Sequence, residues 1–317
     1  RHDQVNKAYD NQEIVSAIIS KRQQIAQTRG YSNYLECSLA KKFAANPQQV
    51  SAFLDDLIAK VRPKAFKELE QLVEFSKSLN SDLEELLPWD VGYYSQKLKK
   101  QTLDYNEEEL REYFPCEHVL TQMFKLFGSV YHFEVIQRDD VLTFNPKSSV
   151  YELISTQDGR TLGYLFADLF ARPQKRGGAW MSDAKSYANY HSWHSTPVAY
   201  LVCNFQAAQN PTLTFSDVET LFHEFGHSLH HLLTEREVPS IAGINEVPWD
   251  IVELPSQLQE QWCYEPQVLK ALSSHKATAQ SLPDSFIEKI IESRRFQASL
   301  HLIRQLEFSK FDWMVHA

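Results

Sequence analysis

Cysteine and long apolar runs are scarce in this sequence, and each shortage excludes a class of protein. Only four cysteines occur among the 317 residues, and no two of them form a Cys-x-x-Cys pair. They are too dispersed for a disulfide framework or a cysteine metal site, so we interpret them as the reduced thiols of a cytoplasmic protein. No apolar run approaches the length of a membrane span, and the one at 198–205 is far too short.

Positive charge is limited as well. The chain carries 32 Lys and Arg residues against 41 Asp and Glu residues, which gives a formal net charge of −9. Nucleic acids and anionic membranes attract basic surfaces, so we expect neither of them as a partner. With 43% hydrophobic residues, 9 glycines and 13 prolines, the composition is that of a globular protein that can bury a core.

The two ends of the chain suggest that it is a piece of a longer protein. It begins at Arg1 without an initiator methionine and ends at Ala317, directly after a strongly helical stretch. We therefore expect further sequence on both sides, and a targeting peptide is compatible with that expectation.

Helical patterns fill the first part of the chain. Asn46 and Pro47 supply a cap and a first-turn proline, and apolar residues then recur at helical spacing as far as Val73. The same spacing predicts helices near 90–103, 106–113 and 116–130 and a long helix from about 283 to 313. We expect that last helix to expose apolar side chains.

The middle of the chain has β character. Residues that favour strands are concentrated in four segments, at 132–137, 150–156, 161–170 and 198–205. A turn signal, Gln157-Asp158-Gly159-Arg160, separates the second segment from the third, and the polar stretch 182–195 is predicted to be a loop. The fold class is therefore mainly α with a small antiparallel β-sheet, divided into a helical region at 1–131 and a second region at 132–317.

One motif in the second region carries chemistry. His223, Glu224 and His227 form the pattern His-Glu-x-x-His. On a helix, positions i and i+4 lie on one face, so both imidazoles can bind one tetrahedral zinc ion. The glutamate beside the first histidine would then lie next to the metal, where it can accept a proton from a bound water. The pattern predicts one Zn²⁺ per chain, with Glu224 as the general base.

The surrounding sequence supports a helix for this motif. Ser216 and Glu219 have the spacing of a capping box at its start. At 100° per residue the apolar side chains gather on the face opposite the motif. They are Val218, Leu221, Phe222, Phe225, Leu229, Leu232 and Leu233. We expect this face to be buried and the motif to face a cleft; a histidine-rich helix surface without metal is the alternative.

A third protein ligand is required, and it is usually a carboxylate in this arrangement. Glu246 and Glu253 are the two candidates downstream. Spacing does not decide between them, because loop lengths between ligands vary. Glu253 is favoured because it belongs to a predicted helical segment that begins at Trp249, and a rigid element can aim a ligand.

Other polar residues have a structural explanation beside a functional one. Glu219 is a candidate partner of a zinc ligand, although its capping role already accounts for it. His230 and His231 are interpreted as polar-face residues, since two histidines, one glutamate and water complete a tetrahedral zinc shell. A second histidine pair, His191 and His194, and the basic cluster at 172–176 are assigned to solvated loops, with contact to a peptide as the alternative.

The residues at 223–227, together with the segment Val-Pro-Trp-Asp-Ile-Val-Glu-Leu-Pro-Ser-Gln at 247–257, resemble the thimet oligopeptidase and neurolysin family of zinc peptidases. The segments 176–181 and 304–308 are most similar to its bacterial oligopeptidase A branch. The resemblance implies Glu253 as the third zinc ligand. It also implies a zincin-like catalytic core within a helical fold that contains a channel, and a strand at 198–205 that pairs with an extended substrate. Family members are about twice as long and include a Gly- and Tyr-rich C-terminal segment that is absent from these residues.

The resemblance and the motif together imply a zinc metalloendopeptidase, a hydrolase that acts on short peptides. Zinc bound by His223, His227 and Glu253 would activate water for Glu224 to deprotonate. The alternative is a non-catalytic peptide-binding protein that kept the fold. Retention of Glu224 argues against it, because binding alone requires no general base.

Overall fold

The computed structural model describes residues 10–104 and 107–317. Its helices are α1 (Gln12–Thr28), α2 (Tyr34–Leu39), α3 (Pro47–Leu79), α4 (Val91–Leu103), α5 (Glu107–Arg111), α6 (Cys116–Tyr131), α7 (Phe215–Leu232), α8 (Leu254–Glu260), α9 (Pro266–Leu272), α10 (Asp284–Ser293) and α11 (Ala298–Val315). Its strands are β1 (Phe133–Gln137), β2 (Ser149–Ser155), β3 (Thr161–Phe170), β4 (Trp180–Lys185), β5 (Ala188–Tyr190), β6 (Trp193–Ser195) and β7 (Val198–Phe205). Of the helix predicted at 106–113, Asn106 lies outside the described residues. Within residues 10–104 and 107–317 no helix is both long and apolar enough to cross a membrane.

The chain forms two compact units. Of the described residues, 10–99 and 294–317 form one unit, and 100–104 and 107–293 form the other. The expected boundary between 131 and 132 marks the change from helices to strands, whereas α6 and β1, on either side of it, both belong to the second unit.

In the first unit, α3 begins as the sequence predicts. The Asn46 side chain accepts a hydrogen bond from the Gln49 N–H at 2.9 Å, and Pro47 occupies the first turn. Helix α11 lies against α3, where the Leu300 N–H donates to the Glu68 carboxylate at 2.7 Å. Its other side exposes apolar side chains, as expected, with Phe311 67% exposed.

The long helix predicted from 283 to 313 is two helices. α10 ends at Ser293 and α11 begins at Ala298. Gln297, just before α11, has a φ of 51°, which a right-handed helix cannot contain. Apolar periodicity continues across this break, so the pattern alone did not reveal it.

The second unit is built around a five-stranded sheet in the order β1-β2-β3-β7-β4. Three of its four pairings are antiparallel, as predicted, but β3 and β7 run parallel. The sheet is therefore mixed. A parallel pair needs a long crossover, and residues 171–197 supply it.

The predicted loop at 182–195 is wrong, because most of this stretch forms strands. β4 pairs with β7 at one edge of the sheet, and β5 and β6 form a separate two-stranded hairpin. An edge strand and an exposed hairpin have little apolar surface to bury, so their polar sequences hid them. β7 has β3 on one side and β4 on the other, so neither of its edges is free to pair with a substrate. The expectation that 198–205 would do so is also wrong.

Behind the sheet, α6 and α7 close one hydrophobic core. Its largest buried side chains include Phe114, Phe127, Phe222 and Phe225, each 0% exposed. The apolar face predicted for the motif helix is thus buried, and α7 is fixed against the sheet. The four cysteines are unpaired and buried.

Candidate metal centre

Helix α7 carries the histidine motif, and its N-cap lies two residues before the predicted one. Thr214, not Ser216, is the N-cap: its hydroxyl accepts a hydrogen bond from the Asp217 N–H at 3.1 Å, and the Asp217 carboxylate accepts one from the Thr214 N–H at 2.9 Å. The capping box is real but shifted by two residues. Glu219 is consequently released from capping, and its carboxylate accepts a hydrogen bond from the Tyr264 hydroxyl.

Three side chains converge beside α7. Glu253 Oε2 lies 3.3 Å from His223 Nε2 and 3.0 Å from His227 Nε2. All three potential ligand atoms lie within 4.8 Å of one another. Glu246, the other candidate, does not belong to this cluster; it is an exposed residue in a turn with a φ of 56°.

The spacing of the three atoms suits zinc. For metal–ligand distances of about 2.0–2.1 Å and tetrahedral angles, neighbouring ligand atoms lie about 3.3 Å apart. The two histidine–glutamate distances, 3.3 and 3.0 Å, match that value. Two imidazole nitrogens and one carboxylate are also the donor set of hydrolytic zinc sites, in which a fourth position is left for water.

Glycine at position 226 allows the third side chain to approach. A Cβ atom added to Gly226 would lie 2.7 Å from Ser256 Cα and 3.0 Å from the Pro255 carbonyl oxygen. Helix α8 therefore packs backbone-to-backbone on α7. Since Glu253 is the N-cap residue of α8, this close contact places its carboxylate against the histidines. The helical segment expected from Trp249 is wrong in detail, because residues 249–253 form turns and the helix begins at Leu254.

Two further side chains orient the cluster. The buried Ser256 hydroxyl donates to Glu253 Oε2 at 2.9 Å. Glu260 Oε1 lies 2.5 Å from His223 Nδ1, so the ring turns its Nε2 toward Glu253. A carboxylate on the far nitrogen of a ligand histidine fixes its tautomer and orientation. No sequence motif singled out Glu260, although its position seven residues after Glu253 places it two turns further along the same helical segment.

Glu224 lies beside the cluster and is 7% exposed. Burial raises the pKa of its carboxyl group above the ordinary value, while the charge of His223 and the Met181 backbone oppose that rise. Burial also lowers the pKa of His227. A neutral imidazole is the form that binds a metal. The cluster thus combines an imidazole whose neutral form is favoured with a carboxyl group whose charged form is disfavoured by burial.

The edge strand β4 runs alongside α7. Its Met181 backbone contacts Glu224, and its Lys185 carbonyl accepts a hydrogen bond from His231 Nε2 at 3.0 Å. His231 is fully buried, so it links α7 to β4 through this hydrogen bond and does not lie on a solvent-facing polar surface. Among the described residues no strand pairs with the outer edge of β4, and this free edge borders the metal cluster.

The other candidates lie apart from the cluster. His191 and His194 are exposed on the β5–β6 hairpin, and His194 Nδ1 lies 2.9 Å from Asn189 Oδ1. In the basic cluster, Lys175 is buried, and its ammonium donates to the carbonyls of Asp168 at 2.8 Å and Phe170 at 3.0 Å. It anchors the loop before β4, which excludes a solvated role for this residue.

Comparison with known proteins identifies the family. The model of "Peptidase family M3" matches residues 1–317. The chain is 42% identical over 313 residues to oligopeptidase A of Salmonella typhimurium, covering 98% of this chain and 46% of that relative. It is 33% identical to an organellar oligopeptidase A of Arabidopsis thaliana, covering 97% of this chain and 40% of that relative. It is 30% identical to a dipeptidyl carboxypeptidase of Escherichia coli, covering 98% and 46%.

The chain spans about half the length of the curated relatives it matches. The match extends over both compact units, not only over the segments around the motif. The resemblance drawn from those segments is thereby confirmed, and the chain belongs to peptidase family M3.

Proposed function

We propose that this protein is a zinc metallo-oligopeptidase that hydrolyses internal bonds of short peptides. The observation that carries the proposal is the convergence of His223, His227 and Glu253 beside the buried carboxyl group of Glu224. The relatives' names include both oligopeptidases and a dipeptidyl carboxypeptidase. The higher identity to oligopeptidase A favours cleavage of internal bonds. The buried, unpaired cysteines are compatible with action in the cytoplasm.

A zinc ion held by the three ligands would acidify a bound water and polarise the scissile carbonyl. Glu224 would accept the proton of that water and deliver it to the leaving amine. Its raised pKa suits both tasks, because a base with a pKa nearer neutrality also returns the proton readily. Glu260 would keep the His223 ring in place, and Ser256 would do so for Glu253.

The free edge of β4 is the element that would hold the peptide. An extended peptide can pair with an exposed strand edge through main-chain hydrogen bonds, which bind without regard to sequence. Since Met181 of this strand contacts the Glu224 carboxylate, a peptide paired with β4 would pass beside the base. This assigns to β4 the role that the resemblance implied for β7.

Replacement of Glu224 by glutamine tests the proposal. The glutamine side chain is nearly isosteric with glutamate but cannot accept the proton, so Glu224→Gln should retain zinc and lose at least about 100-fold in kcat. Glu219→Gln is the matched control, because Glu219 is bonded to Tyr264 and lies outside the metal cluster. Peptide cleavage and zinc content would be measured for each variant with and without a chelator. An unchanged kcat in Glu224→Gln would refute the role of Glu224 as general base. A parent protein that binds peptide without cleaving it would favour the non-catalytic alternative.

A further inference from the structure

An aromatic pair stands exposed on the hairpin that follows the edge strand. In the β5–β6 hairpin, Tyr190 pairs directly with Trp193 across the two strands. Tyr190 is 49% exposed and Trp193 is 60% exposed. Directly opposed residues lie on the same face of a hairpin, so the two rings form one apolar surface.

Specific hydrogen bonds hold the base of this hairpin in place. The Asn189 N–H donates to the Glu237 carbonyl at 3.0 Å, and the Asn189 amide donates to the Glu237 carboxylate at 3.0 Å. The Ser195 hydroxyl donates to the Ser186 carbonyl at 2.8 Å. An isolated two-stranded hairpin is marginally stable, so these tethers are what fix it. Both rings lie outside the buried core, and the Tyr190 ring contacts that of His191, with 4.1 Å between the ring centroids.

The hairpin lies in line with the proposed peptide path. Strand β4 and helix α7 run side by side in the same direction, because Met181 lies at Glu224 and Lys185 lies at His231. The chain then continues into the hairpin, and Asn189 is bonded to Glu237, beyond the end of α7. At about 3.3 Å per residue, the eight residues from Met181 to Asn189 span at most about 27 Å. A peptide on the β4 edge would reach the hairpin roughly five to eight residues from its scissile bond.

We propose that Tyr190 and Trp193 form a distal subsite that binds an apolar or aromatic side chain of the extended peptide, five to eight residues from the cleaved bond. This inference rests on the proposed function. Antiparallel pairing is the more stable arrangement on a strand edge, and a peptide antiparallel to β4 would place its N-terminal part at the hairpin. The subsite makes binding depend on peptide length, because only a long peptide reaches both the metal cluster and the aromatic pair.

Peptides of graded length test the subsite. One cleavable core sequence would be extended in steps of two residues, at its N-terminus in one series and at its C-terminus in another, each extension ending in phenylalanine. Binding would be measured on the zinc-loaded Glu224→Gln protein and kcat/KM on the parent. The double variant Tyr190→Ser, Trp193→Ser is compared with Leu142→Ser, whose side chain is 96% exposed in a loop between β1 and β2.

We expect about a tenfold gain in affinity once the N-terminal extension reaches five to eight residues, and loss of that gain in the double variant but not in Leu142→Ser. Equal cleavage of the shortest peptide by the parent, the double variant and Leu142→Ser shows that these three proteins are folded. A gain in either series that depends on the aromatic pair supports the subsite, and the series shows the direction. A double variant with the parent's length dependence in both series would overturn it. A parent that neither binds nor cleaves the shortest peptide refutes the proposed function instead.

Discussion

Replacing Gly226 by alanine would separate the two helices that set the geometry of the proposed metal site. The added Cβ atom would lie 2.7 Å from Ser256 Cα, whereas carbon atoms in contact are about 3.5–4.0 Å apart. It would also lie 3.0 Å from the Pro255 carbonyl oxygen. Both are backbone atoms, so rotation of a side chain cannot relieve the clash. Helix α8 must move away by about 1 Å, and Glu253 at its N-cap moves with it.

The magnitude follows from two opposing effects. Overpacking costs about 1–3 kcal/mol, while alanine gains about 1 kcal/mol over glycine in a helix interior. A net loss of up to about 2 kcal/mol in unfolding free energy is expected. The effect on the metal is larger in proportion, because a zinc–oxygen bond of about 2.0–2.2 Å does not tolerate a shift of 1 Å. We expect the Kd for zinc to rise about 10- to 100-fold.

Zinc affinity and stability would be measured together on matched variants. Competition with a chromophoric chelator gives the Kd, and urea unfolding of the metal-free protein gives the free energy of unfolding. Gly92→Ala in α4 is the control, since an added Cβ atom there meets nothing within 4 Å. Parental zinc affinity and stability in Gly226→Ala would refute the argument that close helix packing positions Glu253.

Three further predictions concern single side chains, and a fourth concerns the cysteines. Glu253→Gln should raise the Kd for zinc by at least about 100-fold while Glu246→Gln leaves it unchanged, and equal effects in chelator competition would contradict the ligand assignment. Glu260→Gln should raise that Kd about 10-fold, because the His223 ring loses its orienting carboxylate, and a fully retained affinity would count against this role. Lys175→Met should lower the urea-unfolding free energy by about 1–3 kcal/mol, since the carbonyls of Asp168 and Phe170 lose their charged donor while Arg172 still pairs with the Asp168 carboxylate; an unchanged midpoint would contradict the anchoring role. In the native chain all four cysteines should resist a thiol reagent, as burial raises the pKa of Cys116 to about 12, and fast labelling before denaturant is added would show that they are accessible.

The local features of this protein could be predicted from its amino-acid pattern. The start of α3 at Asn46 and Pro47, the turn at 157–160 and the two faces of α7 all appear where the pattern predicts them. Each depends on residues within a few positions of one another, and the spacing of residue types predicts such local contacts. The juxtaposition of His223 and His227 is of this kind, because one turn of helix brings them together.

Which distant segments meet could not be predicted in this way, because it depends on tertiary packing. Spacing left Glu246 and Glu253 as alternatives, and the packing of α8 against Gly226 placed Glu253 beside the histidines. Glu260 reached His223 in the same way. The apolar segment 198–205 was expected to be the strand with a free edge, but the edge strand is the polar β4. Strand order depends on a crossover that no local pattern encodes. Contacts between segments far apart in sequence depend on how whole elements pack, so a reading of neighbouring residues cannot supply them.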